Sequence, residues 1–205
     1  RAKRCQLHRP KQVLNSPYVD FLSSPPQYEL RRGGHPGLFQ TGYFGSIRLH
    51  NKFFWQEADD RTHLAKAAVN YRSDSLDETL GMLDRQLGYA LTEMNGLWWF
   101  TLAGDETFSD ATLMKRVACI SQVAAEAVEH RGKRRHDVAI FADEQVYSRM
   151  RMGPTPLMLP LVTAMRRMLG HTGVPHDFYL LQDIAHPELP DYRMYIFLNS
   201  FYVTD

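Results

Sequence analysis

The sequence predicts an α/β protein with parallel strands. Short apolar, strand-like runs alternate with longer amphipathic stretches along the 205 residues, an order typical of parallel α/β structure. The strand-like runs in the C-terminal third are apolar without interruption, which indicates strands that are covered on both faces. Both observations favour sheets that pack against helices.

The N-terminal part of the chain contains two candidate strands. Residues 18–22 (YVDFL) form an apolar run that ends at the turn signal SSPP, so a strand is predicted there. A Gly- and Pro-rich loop follows at 31–37. Residues 46–50 (SIRLH) alternate polar and apolar side chains, which predicts a second strand, and the apolar residues 53–55 could continue it.

Two amphipathic helices follow, separated by an aromatic strand. Ser75 and Glu78 have the spacing of a capping box, and leucines recur every three or four residues up to Met94, so a helix is predicted over 75–94. The run LWWFTL at 97–102 favours a strand because its aromatic side chains are common in sheets. A second helix is predicted from about residue 110 to 130.

The basic stretch HRGKRRH at 130–136 is the predicted boundary between two domains, 1–131 and 132–205. The apolar signal restarts after it, with predicted strands at 138–142, 178–181 and 195–198 and a predicted helix at about 155–170. This second part is expected to form the opening half of a doubly wound parallel sheet.

Composition narrows the possible partners. The formal net charge is +1, so no global field attracts nucleic acid or an acidic membrane surface, and no apolar run approaches the roughly 18 residues that span a bilayer. Cys5 and Cys119 are far apart and match no metal or redox spacing. No phosphate-binding glycine loop is present either. Taken together, these observations predict no cofactor, no metal, and no nucleic-acid or membrane partner. The chain opens on Arg and ends within a strand-like segment, so we expect an internal piece of a longer protein of undecided compartment.

Glu57 is the first candidate functional residue, in the stretch FFWQEADDRTHL at 53–64. A carboxylate at the end of a strand lies where α/β sheets place ligands. Asp59, Asp60 and Arg61 could orient this carboxylate and keep it ionised, which suits a nucleophile. The same pattern also fits a polar loop whose charges pair among themselves, and the local sequence leaves both interpretations open.

Three tryptophans are candidate ligand platforms. Strand alternation sends Trp98 and Trp99 to opposite faces, so one can lie in the core while the other offers a flat surface to a sugar. Trp55 has the same two interpretations and is two residues from Glu57.

As an ordered set, these segments resemble a known enzyme family. YVDFLSSP, SIRLHNKFFWQEADDRTHL and SLDETLGMLDRQLGYALTEMNGLWWF resemble the last third of the (β/α)8 barrel, the TIM-type barrel, of family-42-type β-galactosidases, which are retaining glycoside hydrolases. DVAIFADE, PLMLPLVTAMRRMLGHTGVPHDFYLLQDI and LPDYRMYIFLNSFYVTD are similar to the first strands of the flavodoxin-like, class I glutamine amidotransferase-like trimerisation domain that follows that barrel. The resemblance spans nearly the whole chain.

The resemblance implies roles for individual residues. Glu57 would be the nucleophile at the end of the seventh barrel strand, with Asp59 and Arg61 supporting it. Either Trp98 or Trp99, on the eighth strand, would be a platform on which the sugar stacks. The implied reaction is hydrolysis of β-galactoside-like glycosidic bonds, and a full-length parent is expected to be a homotrimer.

The sequence departs from the family in one respect that limits these expectations. The family's acid/base glutamate follows an asparagine, and no Asn-Glu pair occurs in the 205 residues. The chain therefore carries the nucleophile half only, and the isolated fragment is expected to be inactive. Two alternatives remain: a non-catalytic carbohydrate-binding or oligomerisation module, and a related glycosidase for another sugar, such as a β-mannoside or an α-L-arabinopyranoside.

Overall fold

The computed structural model describes residues 10–35, 42–101, 106–130, 132, 136–146, 157 and 159–201. Over these residues the chain is mixed α/β, with two sheets of three strands each. The strand pairs β2–β3, β4–β5 and β4–β6 are parallel, which confirms the predicted fold class at this level. Contacts divide the chain into two compact units. One unit comprises the described residues of Arg1–Phe21, Tyr43–Phe53 and Arg135–Asp205, and the other those of Leu22–Gly42 and Phe54–Arg134.

The first sheet has the order β1-β2-β3, so strands that follow one another in the chain are neighbours. Its strands are β1 (Phe21–Ser24), β2 (Phe53–Ala58) and β3 (Gly96–Trp99), and the register of β2 and β3 runs from Trp55 opposite Gly96 to Ala58 opposite Trp99. Helix α3 (Leu76–Glu93) connects β2 to β3, and α4 (Ala111–Glu129) follows β3. A short helix, α1 (Pro10–Leu14), precedes β1.

Helix α3 begins and ends as the sequence predicts. The Ser75 hydroxyl accepts a hydrogen bond from the Glu78 amide at 3.1 Å, while the Glu78 carboxylate accepts from the amide of Asp74, one residue earlier than in a capping box. The helix ends at Met94, whose φ of 56° is left-handed. Its apolar face packs on α4 through Leu83, which contacts a buried cluster with Leu113 and Ile120.

The second sheet has the order β5-β4-β6 and is parallel throughout. Its strands are β4 (Val138–Ala142), β5 (His176–Leu180) and β6 (Met194–Phe197). Every residue of β4 is buried, as its uninterrupted apolar run predicts. One face packs on a π-helical segment (Leu159–Ala164) and on α5 (Met165–His171), and the other face packs on α2 (Phe44–Leu49).

The predicted strand at 46–50 is wrong, because residues 46–49 belong to helix α2 and His50 is its C-cap. The polar and apolar residues of SIRLH alternate because helix α2 packs against β5, and not because the segment forms a strand. The Ser46 hydroxyl accepts a hydrogen bond from the Leu180 amide at 2.8 Å, and Gly45 lies against the ring of Tyr179. These contacts come from β5, about 130 residues later in the chain, so no local pattern reveals them.

Other element boundaries shift by a few residues. β1 begins at Phe21 rather than 18, and Tyr18 is 92% exposed. The predicted strand at 97–102 is β3, and its residue 102 lies outside the described residues, as do 155, 156 and 158 of the predicted helix at 155–170. Most of the basic stretch at 130–136 also falls outside the described residues, as does Cys5.

The described residues lack two kinds of feature. No helix there is long and apolar enough to cross a membrane. No group of three or more His, Cys, Asp or Glu side chains in that part of the chain could hold a metal ion. Cys119 is exposed and carries a free thiol.

Candidate functional site

Glu57 is the penultimate residue of β2, near the carboxyl end of the strand. The buried side chains of β2 are Phe54, Gln56 and Ala58, and Gln56 hydrogen-bonds Gln86 of α3, so this face of the sheet is covered by α3. Alternation along the strand therefore directs Glu57 to the opposite face. Its side chain is half-buried there.

Trp98 lies beside Glu57 on this face. The two residues are register partners in the parallel pair β2–β3, and register partners extend to the same side of a sheet. The indole nitrogen Nε1 of Trp98 donates to the Ser23 hydroxyl of β1 at 3.4 Å, and its ring centroid is 5.4 Å from that of Phe100. The indole thus spans from β3 towards β1 next to the carboxylate.

The other two tryptophans differ in environment. Trp99 extends to the α3 side, where it packs on the buried cluster of Leu83 and Leu113, with the ring of Phe108 at 6.1 Å. This placement makes Trp99 part of the core. Trp55 is 41% exposed on the Glu57 face, so it and Trp98 are two tryptophans that share this face with the carboxylate.

Asp59 is fully buried just beyond β2. The Tyr28 hydroxyl donates to its Oδ2 at 2.6 Å, and Nη1 of Arg31 lies 3.6 Å from the same oxygen. Burial raises the pKa of Tyr28, and the hydrogen bond to Asp59 raises it further, so the phenol remains a proton donor. Tyr28 and Arg31 are therefore the residues that support Asp59.

Arg61, predicted to support Glu57, is engaged elsewhere. Its Nη1 donates to the carbonyl of Asn70 at 2.7 Å, and its guanidinium carbon lies 4.6 Å from the centre of the Tyr28 ring. Arg61 thus contributes to the loop after β2 and to a cation–π contact. The ion pair of Asp59 is with Arg31 instead.

The pKa of Glu57 is raised, mainly because partial burial penalises the charged form. The negative charge of Asp59 raises it further, and the positive charge of Arg31 lowers it. In this structure Asp59 therefore disfavours the carboxylate form of Glu57, and Arg61 is not among the groups that shift its pKa. Arg31 is the group that favours the anion.

A second buried carboxyl group, that of Asp60, follows Asp59 in the chain. Asp60 is 2% exposed and accepts a hydrogen bond from Nε2 of Gln86 at 2.9 Å. Burial raises the pKa of Asp60, while the hydrogen bond from Gln86 and the charges of Arg31 and Arg85 lower it. Arg31 is thus shared between two buried carboxyl groups and Glu57.

Tyr28 and Arg31 are the residues that sequence reasoning missed. They lie on and just after a short 3-10 turn (Tyr28–Leu30), more than 25 residues before Glu57 in the chain. The only local signal is that Arg31 is the first residue of the Gly-rich loop at 31–37, which does not predict a buried arginine.

Comparison with known proteins produced no match: no protein-family model, no curated protein and no solved structure is similar to this chain. The resemblance to family-42-type β-galactosidases therefore stays a prediction that rests on the quoted segments alone.

Proposed function

We propose that this chain carries the nucleophile half of a retaining β-glycosidase acting on β-galactoside-like substrates, with Glu57 as the nucleophile. The observation that supports this proposal is the parallel register of β2 and β3. It sets the carboxyl group of Glu57 beside the indole of Trp98, near the carboxyl end of β2 and on the face away from α3.

The chemistry follows from this pairing. The apolar face of a pyranose stacks on an indole, and Trp55 and Trp98 offer two such surfaces. Glu57 then attacks the anomeric carbon, the glycosidic bond breaks, and water later hydrolyses the glycosyl-enzyme. In a retaining enzyme the second carboxyl group is about 5 Å from the nucleophile and protonates the departing oxygen. That residue would come from the remainder of a longer parent.

The same proposal includes the assignment of the two sheets to a (β/α)8 barrel and to a flavodoxin-like or amidotransferase-like domain. The order β1-β2-β3, with α3 between β2 and β3, is that of consecutive strands in a (β/α)8 barrel. The order β5-β4-β6 is that of the first three strands of a flavodoxin-like or amidotransferase-like sheet. A homotrimer is proposed for the full-length parent, and analytical ultracentrifugation of that protein tests it.

The raised pKa of Glu57 imposes a condition on this mechanism. Attack on the anomeric carbon requires the carboxylate, and burial together with Asp59 favours the protonated form. The reactive fraction of Glu57 therefore increases as the pH rises through its pKa. Labelling of Glu57 by a substrate should be faster at neutral than at acidic pH.

The deciding experiment is covalent trapping. An aryl 2-deoxy-2-fluoro-β-galactoside with a dinitrophenolate leaving group needs no protonation to depart, so the missing acid is not required. Intact-protein mass spectrometry should show one added fluorosugar, and peptide mapping should place it on Glu57. The Glu57→Gln variant should remain unlabelled, whereas Glu129→Gln, at an exposed glutamate of α4, should be labelled like the wild type. Labelling elsewhere, or none, contradicts the proposal.

A second candidate function is non-catalytic carbohydrate binding, and the environment of Glu57 favours it. A carboxyl group with a raised pKa can donate a hydrogen bond to a sugar hydroxyl, and the exposed Trp55 provides a stacking surface. This function predicts galactoside binding in titration calorimetry without any covalent adduct. Binding should weaken in Trp98→Ala and persist in Trp99→Phe, because Trp98 lies on the Glu57 face and Trp99 lies on the α3 side.

A further inference from the structure

We propose that Arg31 is a positioning residue of the Glu57 site, which holds Asp59 in place and supplies the positive charge shared by the acidic groups at 57, 59 and 60. The inference rests on the proposed role of Glu57 and deepens it. It assigns to Arg31 the function that the sequence predicted for Arg61.

The first support for this inference is the set of contacts that holds the side chain of Arg31 in place. Its side chain is 1% exposed, and its guanidinium carbon lies 3.8 Å from the centre of the Tyr28 ring. Tyr28 in turn donates its hydroxyl to Asp59 at 2.6 Å, the carboxylate that Nη1 of Arg31 approaches at 3.6 Å. The phenol therefore contacts both members of the ion pair, which fixes the guanidinium relative to Asp59.

The second support is the way in which Arg31 uses its donors. Nη2 donates to the carbonyl of Pro26 at 3.1 Å, and Nε and Nη1 make no hydrogen bond within the described residues. Arg31 therefore acts on the surrounding carboxyl groups mainly through its charge. Because the group is buried, this charge is poorly screened by solvent and reaches several neighbours.

The third support is the position of Glu57 relative to this pair. Asp59 is two residues after Glu57, so an extended chain directs both side chains to the same side. The charged groups that act on Glu57 are Asp59, immediately after β2, and Arg31, after the 3-10 turn. They act in opposite directions, and neighbouring residues of the face, such as Trp98 and Ser23, carry no charge.

The other arginines near these carboxyl groups make different contacts. Arg61 donates to the carbonyl of Asn70, and Arg85 donates to the carbonyls of Leu30, Arg31 and Arg32. Arg85 thereby braces the backbone that carries Arg31. Only Arg31 combines burial, contact with Tyr28 and an ion pair with Asp59.

The test is an NMR titration of the Glu57 carboxyl carbon in the whole chain, assigned by its loss in Glu57→Gln. The titration midpoint should fall in Asp59→Asn, which removes the repelling charge, and rise in Arg31→Gln, which removes the attracting one. The double variant Asp59→Asn/Arg31→Gln should have a midpoint above that of Asp59→Asn alone. Arg31→Lys keeps the charge and should stay nearer to the wild type than Arg31→Gln.

The control is Arg116→Gln, which removes a cation from an exposed ion pair of α4 with Asp84 and should leave the midpoint unchanged. If Arg31→Gln does not fold, the comparison of Asp59→Asn with the double variant measures the same effect. An unchanged midpoint on removal of Arg31, or a shift of equal size in Arg116→Gln, overturns the inference. Failure of fluorosugar labelling instead refutes the proposed function, because the titration requires no catalysis.

Discussion

At the scale of single residues, Glu144 has a strongly perturbed carboxyl group. It follows β4, is half-buried and hydrogen-bonds Tyr43, and its pKa is raised to about 7. Burial is the main cause, and the neighbouring charge of Asp143 adds to it. The folded protein therefore binds this proton more tightly than the unfolded chain does.

This binding predicts a stability that depends on pH. The contribution of protonated Glu144 is fully present below the ordinary pKa of 4.5 and is lost as the pH rises through about 7. Because each tenfold change in proton affinity corresponds to about 1.4 kcal/mol, a pKa raised from 4.5 to about 7 sets the loss at no more than about 3–4 kcal/mol. Urea unfolding of the wild type and Glu144→Gln, below pH 4.5 and above pH 7, measures it.

Glu144→Gln should flatten that part of the pH profile, because the amide has no proton to lose. Glu188→Gln, at an exposed glutamate of the same unit, serves as the control and should leave the wild-type slope in place. An unchanged slope in Glu144→Gln would show that another group is responsible.

Only some of the residues of the candidate site could be predicted from the sequence. Glu57 and its tryptophans stand out in the sequence because a carboxylate and aromatic residues occur at strand ends. Arg31 does not, since its partner Asp59 is 28 residues away and no local pattern links a loop arginine to a buried aspartate. Nor does the order of residues reveal that Asp59 opposes the ionisation of Glu57, because that depends on burial.

Among the elements, α2 depends most on one close contact. A Cβ added to Gly45 would lie 2.6 Å from Cε1 of Tyr179, in a ring that stacks on Phe141 and hydrogen-bonds Tyr192. Gly45→Ala should therefore lower the free energy of unfolding by about 1–3 kcal/mol, the usual cost of overpacking. Chemical denaturation measures the change.

The matched control is Gly88→Ala on α3. Gly88 is exposed, and nothing lies within 4 Å of an added Cβ. Because alanine favours the helix over glycine, this variant should be more stable by up to about 1 kcal/mol. Equal effects of the two substitutions would mean that the Tyr179 contact carries no energetic weight.

The contrast between α2 and α3 explains which elements the sequence could predict. Helix α3 has 18 residues, a capping serine and a repeating leucine pattern, so its local signals agree with one another. Helix α2 has six residues, too few for a helical period to exceed a strand-like alternation. Its conformation is decided by packing against β5, which the local sequence does not contain.

For the whole molecule, the consequential feature is β6, which is an edge strand of the second sheet within the part of the chain that the structure describes. It pairs with β4 on one side, and Met194, Tyr195 and Phe197 are each more than 40% exposed. An apolar edge strand is a template for association with other chains, and a lysine on it is a common protection. Met194→Lys should therefore slow concentration-dependent aggregation several-fold, as measured by light scattering.

Met168→Lys is the control for this prediction. Met168 is 63% exposed on helix α5 rather than on a strand, and the substitution changes the net charge by the same amount. Equal protection by the two variants would attribute the effect to charge alone and contradict the role of the edge.

The division of the chain into two compact units is harder to predict from the sequence than its fold class. The change of unit between residues 134 and 135 falls within the basic stretch at 130–136. The association of Tyr43–Phe53 with the C-terminal residues depends on contacts such as that between Ser46 and Leu180. Such contacts leave no signal in composition.

All three tryptophans of the chain lie in one unit, on β2 and β3, and the unit that contains the second sheet has none. Indole fluorescence during denaturation therefore reports the unfolding of the tryptophan-containing unit alone, while far-ultraviolet circular dichroism reports the unfolding of both units. Coincident transitions by the two optical signals would indicate a single cooperative event, and separated transitions would assign a stability to each unit without any truncation of the protein.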